Sequence, residues 1–269
     1  MKYAIFIYGQ YRTFKYNLEN NLKEIEKSIL KNNEIDIYIL TDRQGNYSEI
    51  NSEIIINIFK QYLCNVKFIK IWEDLYQWHD KEKMNKLSFD KNCKHEYGKD
   101  NFTNNLWFRR FVCNKIKNDY CLKNNLKYDL HMFMRLFDTK IKKYSSDELI
   151  REKIESCTIN NNLLMSIDTI FIGNKNVIDN VFSFGENFYL YHDNIWNDKK
   201  LTNYLKLIDY SISTQKNKPT YCSEIQIFSH IFYNISFCEN IRFDKCNPNY
   251  QDILFHVELC EKRKFNCYY

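Results

Sequence analysis

Residues Tyr3-Ala4-Ile5-Phe6-Ile7-Tyr8 form a short apolar run that stops at Gly9 and passes through Gln10-Tyr11-Arg12 into a polar, helix-patterned stretch. A run of this length bounded by glycine predicts a buried strand ending in a tight turn. In open α/β sheets, ligands bind just beyond the carboxyl ends of the strands. Gly9 allows the backbone to approach a ligand closely, and Arg12 offers a planar fork of donors that suits phosphate or carboxylate. A plain strand–turn–helix with a solvated arginine satisfies the same pattern, so the segment by itself leaves both readings open.

The rest of the chain extends this opening into an α/β pattern. Apolar residues at Leu18, Leu22, Ile25, Ile29 and Leu30 predict an amphipathic helix over 15–32. The β-rich run Ile35-Asp36-Ile37-Tyr38-Ile39-Leu40 then ends at Thr41-Asp42, completing a βαβ unit and making the sheet at least partly parallel. Further helices are predicted over 48–63, 104–125, 146–154, 176–184 and 199–212, with another opening at Ser223. Further strands are predicted over 66–71, 128–138 and 167–173, and a short apolar run covers 253–259. The stretch 73–102 has weak periodicity and is expected to be a long, irregular loop beside a ligand. No repeat, Gly/Ser linker or low-complexity tail divides the chain, so a single domain over 1–269 is expected, with a mixed, mostly parallel sheet flanked by helices.

Composition narrows the functional classes. Aromatic residues make up 17% of the chain against only 5 glycines and 2 prolines, so tyrosine and phenylalanine must build much of the core. The abundance of Asn, Lys, Ile and Tyr fits an A/T-rich coding genome, which makes individual Asn and Lys residues poor functional clues. A net charge of +5, with basic and acidic residues interspersed, falls short of the clustered basicity of a nucleic-acid binder. The 10 cysteines include no Cys-x-x-Cys pair, and spacings such as Cys113–Cys121 and Cys260–Cys267 fit no common zinc pattern. No secretory signal is evident, and no run approaches the ~20 apolar residues of a membrane span. The expectation is a soluble cytoplasmic protein with reduced, mostly buried thiols.

Three segments carry chemistry-bearing residues: Gly9-Gln10-Tyr11-Arg12, Arg135-Leu136-Phe137-Asp138 and Ser223-Glu224. In a mainly parallel sheet the first two share one edge. A carboxylate such as Asp138 at a strand end suits a divalent cation that also binds a diphosphate. Arg12 and Arg135 suit bidentate contact with the same phosphates. Glu224 reads equally as a first-turn acid behind a Ser223 N-cap and as a general base within reach of a hydroxyl. His192 is a weaker candidate cation ligand. Trp72, Trp78 and Trp107 suit ring stacking, although core packing is the commoner fate of such residues. No nucleophile elbow, Walker loop or Gly-x-Gly-x-x-Gly fingerprint is present.

Taken in order, the Gly9-Gln10-Tyr11-Arg12 turn, the Ile35-Asp36 strand, the Tyr128-Asp129 strand with Arg135 and Asp138, the Asp168 to Gly173 strand and Ser223-Glu224 form a series. The series resembles glycosyltransferases that build bacterial polysaccharides and are also found in large DNA viruses. The resemblance covers roughly residues 1 to 235 and rests on order and spacing, since each motif is short. It implies a GT-A-like, Rossmann-related fold and transfer of a sugar from a nucleotide-diphosphate donor to a glycan acceptor. It also implies that Gly9, Gln10, Arg12 and Arg135 meet the nucleotide diphosphate. Asp138 would stand at the metal and diphosphate, with His192 as a late ligand of manganese or magnesium, and Glu224 would face the sugars. The chain departs from the commoner pattern in placing Arg135 three residues before Asp138, rather than two, with no second Asp beside it. Two other readings remain open on these residues: a binding module that keeps the fold without the chemistry, and another nucleotide-using α/β transferase.

Overall fold

The computed structural model describes residues 1–10, 14–26, 32–42, 52–62, 66–72, 102–136, 139–143, 145–159, 162–166, 170–187, 242–243 and 255–259. Nine strands and five helices are described: β1 (Lys2–Gln10), α1 (Phe14–Ile25), β2 (Glu34–Asp42), α2 (Ser52–Tyr62), β3 (Val66–Trp72), α3 (Phe102–Lys123), β4 (Leu130–Met134), β5 (Thr139–Lys143), α4 (Asp147–Ile159), β6 (Leu164–Ser166), β7 (Ile170–Gly173), α5 (Lys175–Asn187), β8 (Arg242–Phe243) and β9 (Phe255–Leu259). The chain falls into two compact units. The first comprises residues 1–76, 125–178 and 240–269, and the second 77–124 and 179–239.

The first unit holds a seven-stranded sheet in the order β3-β2-β1-β4-β7-β6-β8 and a two-stranded sheet of β5 and β9. Strands β3, β2, β1 and β4 run parallel, β7 is antiparallel to both β4 and β6, and β8 is parallel to β6. The expected α/β class, with a mixed, mostly parallel sheet and flanking helices, is therefore the observed one. β1 is central because its apolar run can be buried on both faces.

Side chains alternate across this sheet, and its two faces differ in chemistry. One face carries Tyr3, Ile5 and Ile7 beside Ile35, Ile37 and Ile39 and beside Leu130, Met132 and Met134. These aliphatic rows pack against Leu18, Leu22 and Ile25 of α1, Ile55 and Phe59 of α2, and Ile150, Ile154 and Cys157 of α4. The three- and four-residue spacings place each helix's apolar stripe on the sheet. The other face carries aromatic residues. Tyr38, Phe6, Phe133 and Phe171 stand in register across β2, β1, β4 and β7, with ring centroids 5.7 Å apart for Phe6–Phe133 and 5.8 Å for Phe133–Phe171.

At the amino ends of the same strands the aromatic face becomes polar. Tyr128 donates to Asp36 Oδ2 at 2.6 Å, and since this uses its one hydroxyl hydrogen, Tyr38 donates in turn to Tyr128. Lys2 Nζ lies 3.3 Å from Asp36 Oδ2 and from Glu34 Oε1, and 5.1 Å from the centre of the Tyr128 ring. Ala4 stands opposite both Asp36 and His131 in register, and the Tyr128 ring meets His131 edge-on. A small residue at position 4 leaves room for that ring. Burial, the hydrogen bond to Asp36 and the contact with Tyr38 raise the Tyr128 proton affinity well above a free phenol. Burial, aided by the charges of Glu155 and Asp129, pushes Tyr3 up to about 12. Burial acts to lower the Lys2 proton affinity, but Asp36 and Glu34 together outweigh it and raise the value.

Several sequence expectations are corrected. The first helix ends at Ile25 within the described residues, and Asn32, the last residue of the predicted helix, lies in the left-handed region at φ 68°. The predicted strand 128–138 is confined to Leu130–Met134, because Tyr128 is used at the strand's approach and the Leu136 carbonyl is captured by a side chain of α1. The helix predicted to end at Ile154 continues to Ile159. It begins behind a Ser146 cap, whose Oγ accepts from Leu149 N at 3.2 Å. β5 and β6 were not predicted: β5 is Thr-Lys-Ile-Lys-Lys and β6 is three residues long, so neither carries a strong apolar signal. Of the predicted loop 73–102, Phe102 instead opens α3 and residues 73–101 lie outside the described residues, as do the helix over 199–212 and the helix opening at Ser223.

In the second unit, α3 closes with Asn124 Nδ2 donating to Tyr120 O at 2.8 Å. Asn114 and Asn118, one turn apart on α3, both donate to Asp179 Oδ1, at 2.8 Å and 2.7 Å. Cys113 and Cys121 on α3 and Cys157 on α4 are buried and in the thiol form. No described helix is long and apolar enough to cross a membrane.

Tyr128→Phe is expected to destabilise the protein by about 1–3 kcal/mol, since Asp36 and Tyr38 both lose a partner. Urea unfolding at pH 7 measures this. The alkaline limb gives a second test. Lys2, Tyr3 and Tyr128 all bind their protons more tightly when folded. The unfolded chain therefore releases them first, and their contribution is present below about pH 10 and lost as pH rises beyond it. Urea midpoints should fall between pH 9 and pH 11, and less steeply in Tyr128→Phe; equal slopes would refute the assignment. At Gly173 an added Cβ would lie 2.9 Å from Val177 Cγ1 and 3.2 Å from Asn162 O. Gly173→Ala is accordingly expected to lower the melting temperature.

Candidate functional site

The strand order contains a topological switch. From β1 the chain moves to β2 on one side, whereas from β4 it proceeds to β7 on the other side. Connections that leave neighbouring parallel strands in opposite directions open a crevice at the strands' carboxyl ends. This switch lies between β1 and β4, which pair in parallel from Tyr3↔Leu130 to Ile7↔Met134.

Two of the residues singled out in the sequence stand on the β1 side of that edge. Gly9 and Gln10 are the last residues of β1, in register with Thr41 and Asp42 at the end of β2. Arg135 follows β4 directly and is half-buried. The fold therefore puts Gly9, Gln10 and Arg135 at the carboxyl ends of the two strands that flank the switch. Arg12, Asp138, His192 and Glu224 lie outside the described residues.

The register adds an acid that the sequence reading passed over. Asp42 closes β2 in register with Gln10. The signal was available, since the strand visibly ended in Thr41-Asp42. What was missing was the register that makes Asp42 the neighbour of Gln10.

The edge is also braced from below. Asn21, fully buried on α1, donates from Nδ2 to Leu136 O at 2.9 Å and accepts at Oδ1 from Ile141 N at 2.8 Å. One amide side chain thus holds the exit from β4 and the middle of β5. Among the described residues no group of three or more His, Cys, Asp or Glu side chains is arranged to hold a metal ion.

No protein-family model matches the sequence, and no curated protein matches it significantly. Among solved structures, the chain is similar to mouse xyloside xylosyltransferase 1 in its apo form, with 8% identity and a TM-score of 0.41 over 92% of this chain and 86% of that one. It is similar to the mannosyltransferase Ktr4p from S. cerevisiae in complex with GDP, with 12% identity and a TM-score of 0.42 over 94% of this chain and 70% of that one. It is also similar to residues 1–349 of S. aureus TarS, with 12% identity and a TM-score of 0.32 over 62% of this chain, which spans 35% of the TarS chain.

Proposed function

We propose that the chain is a GT-A-like glycosyltransferase, acting as one domain over 1–269, that moves a sugar from a nucleotide-diphosphate donor to a glycan acceptor. The observation that carries the reading is the switch between β1 and β4, whose carboxyl edge presents Gly9, Gln10 and Arg135 and has Asp42 next to Gln10. A glycine at a strand's end admits a ligand close to the backbone, and an arginine across the switch suits a diphosphate.

In the proposed reaction an acceptor hydroxyl oxygen bonds to the anomeric carbon as the bond from that carbon to the diphosphate oxygen breaks. Glu224 takes the hydroxyl proton, and the nucleoside diphosphate leaves with the bonding pair. Negative charge grows on the departing phosphates, so fixed positive charge there contributes most to the rate. Arg12 and Arg135 supply that charge. Asp42 accepts from the nucleoside. A manganese or magnesium ion held by Asp138 and His192 would add Lewis-acid charge at the same phosphates when bound.

A thermal-shift panel of nucleotide sugars, each with and without manganese or magnesium, tests the reading. A ligand specific for the folded state at 100 times its Kd adds about 2.7 kcal/mol, a shift of several degrees for a chain of this size. Selective stabilisation by one nucleotide sugar, followed by transfer to an acceptor, is the expected result. Response to adenosyl ligands alone, or to none of the panel, overturns it. Asp138→Asn is expected to lower kcat on the order of 100- to 1,000-fold at an unchanged melting temperature, and unchanged turnover would remove Asp138 from the site. Arg135→Ala is expected to weaken donor binding roughly tenfold or more, as loss of a charge-assisted hydrogen bond implies; calorimetric titration reads this directly.

A further inference from the structure

The two hydrogen bonds of Asn21 do more than fill a buried position. We propose that Asn21 is a positioning residue for the carboxyl end of β4, holding Arg135 at the switch; the inference rests on the function proposed above. Four observations converge on it.

Asn21 is fully buried on α1, between the core contacts Leu18 and Leu22. Its amide donates to one strand exit and accepts from another strand, as a backbone peptide does in a sheet, at Leu136 O and Ile141 N. These two partners bracket four residues of chain, 137–140, and Asp138 lies between them in sequence. Leu136 is itself the residue after Arg135, and its side chain is buried in the aliphatic core with Ile141.

The consequence is mechanical. α1 begins four residues after Gln10, the end of β1, and reaches across to hold the chain leaving β4. Both strands that flank the switch are thereby referred to one helix. Hydrophobic contacts alone allow the Leu136 segment to slide, because they are not directional. Two directional hydrogen bonds, of 2.8 Å and 2.9 Å, tie it to α1. A displacement of about 1 Å at a reacting centre costs on the order of 100-fold in rate, so a brace of this kind belongs to the chemistry as well as to stability.

The test compares Asn21→Leu, which removes both hydrogen bonds at similar volume, with Asn21→Asp, which keeps the acceptor for Ile141 N and loses the donor to Leu136 O. For each variant that is folded by circular dichroism, hydrogen exchange over 136–141 is read beside UDP and GDP affinity and the steady-state kinetics of the donor found in the panel. Faster exchange at 136–141, a loss of kcat on the order of 10- to 100-fold and an acceptor KM within about twofold support the inference. A purely structural role would lower the melting temperature and leave kcat per folded molecule unchanged, and that result overturns it. Asn21→Asp carries the test if Asn21→Leu does not fold. If the wild type binds neither nucleotide and turns over no donor, the proposed function falls and this inference with it. If the wild type is active and both folded variants match it, the inference alone falls.

Discussion

The structure depends on one constraint: β1 has to be buried on both faces and hydrogen-bonded along both edges. Its residues from Tyr3 to Tyr8 are all buried, so neither side can face water. Parallel pairing with β2 on one edge and β4 on the other satisfies its backbone groups. Once β1 is central, the chain must place β2 and β4 on opposite sides of it, and this alone creates the switch. The candidate site is thus a by-product of how the most apolar strand escapes water.

The two faces of the sheet then take different work. Aliphatic rows on one face receive the stripes of α1, α2 and α4, a packing that tolerates many aliphatic sequences. The other face is aromatic along its middle and polar at its amino ends. There Tyr38, Tyr128, Asp36 and Lys2 form a connected network in which the buried Asp36 carboxylate is both hydrogen-bonded and paired with a cation. A buried carboxylate is tolerated only when so satisfied. The amino ends are tied up in this network, whereas the carboxyl ends carry Gly9, Gln10 and Arg135. Structural polarity and candidate chemistry thus sit at opposite ends of the same strands.

Legibility in the sequence followed the strength of the local signal. β1, β2, β3, α2 and α5 were readable within a few residues because each has a long apolar run or a clear helical stripe, whereas α3, also predicted, buries Arg110, Asn114 and Lys117. β5 was hidden because Thr-Lys-Ile-Lys-Lys has a single strongly apolar residue, Ile141, which joins the core; its strand character comes from pairing with β9, more than a hundred residues later. β4 stopped short of its predicted end because hydrogen bonding at Leu136 outweighed the continuing apolar pattern. Asn21 was discounted for a compositional reason: in a chain rich in asparagine, no single one stands out. Its two buried partners, 115 and 120 residues away in sequence, distinguish it.

What the sequence determined by itself is the class of fold and the strand ends where chemistry belongs, since apolar runs, helical periodicity and a terminating glycine are local properties. Gly9 and Gln10 could be marked at such an end from their neighbours alone, whereas Arg135 fell inside the strand predicted over 128–138 and its place just after β4 came from the fold. Only the tertiary structure decided that Asp42 closes β2 beside Gln10, that Tyr128 meets Asp36, and that Asn21 joins the exit of β4 to the middle of β5. Each of these is a register between segments distant in sequence. The alternation of apolar residues constrains register only once the partner strand is known, and these partners lie far apart in the chain.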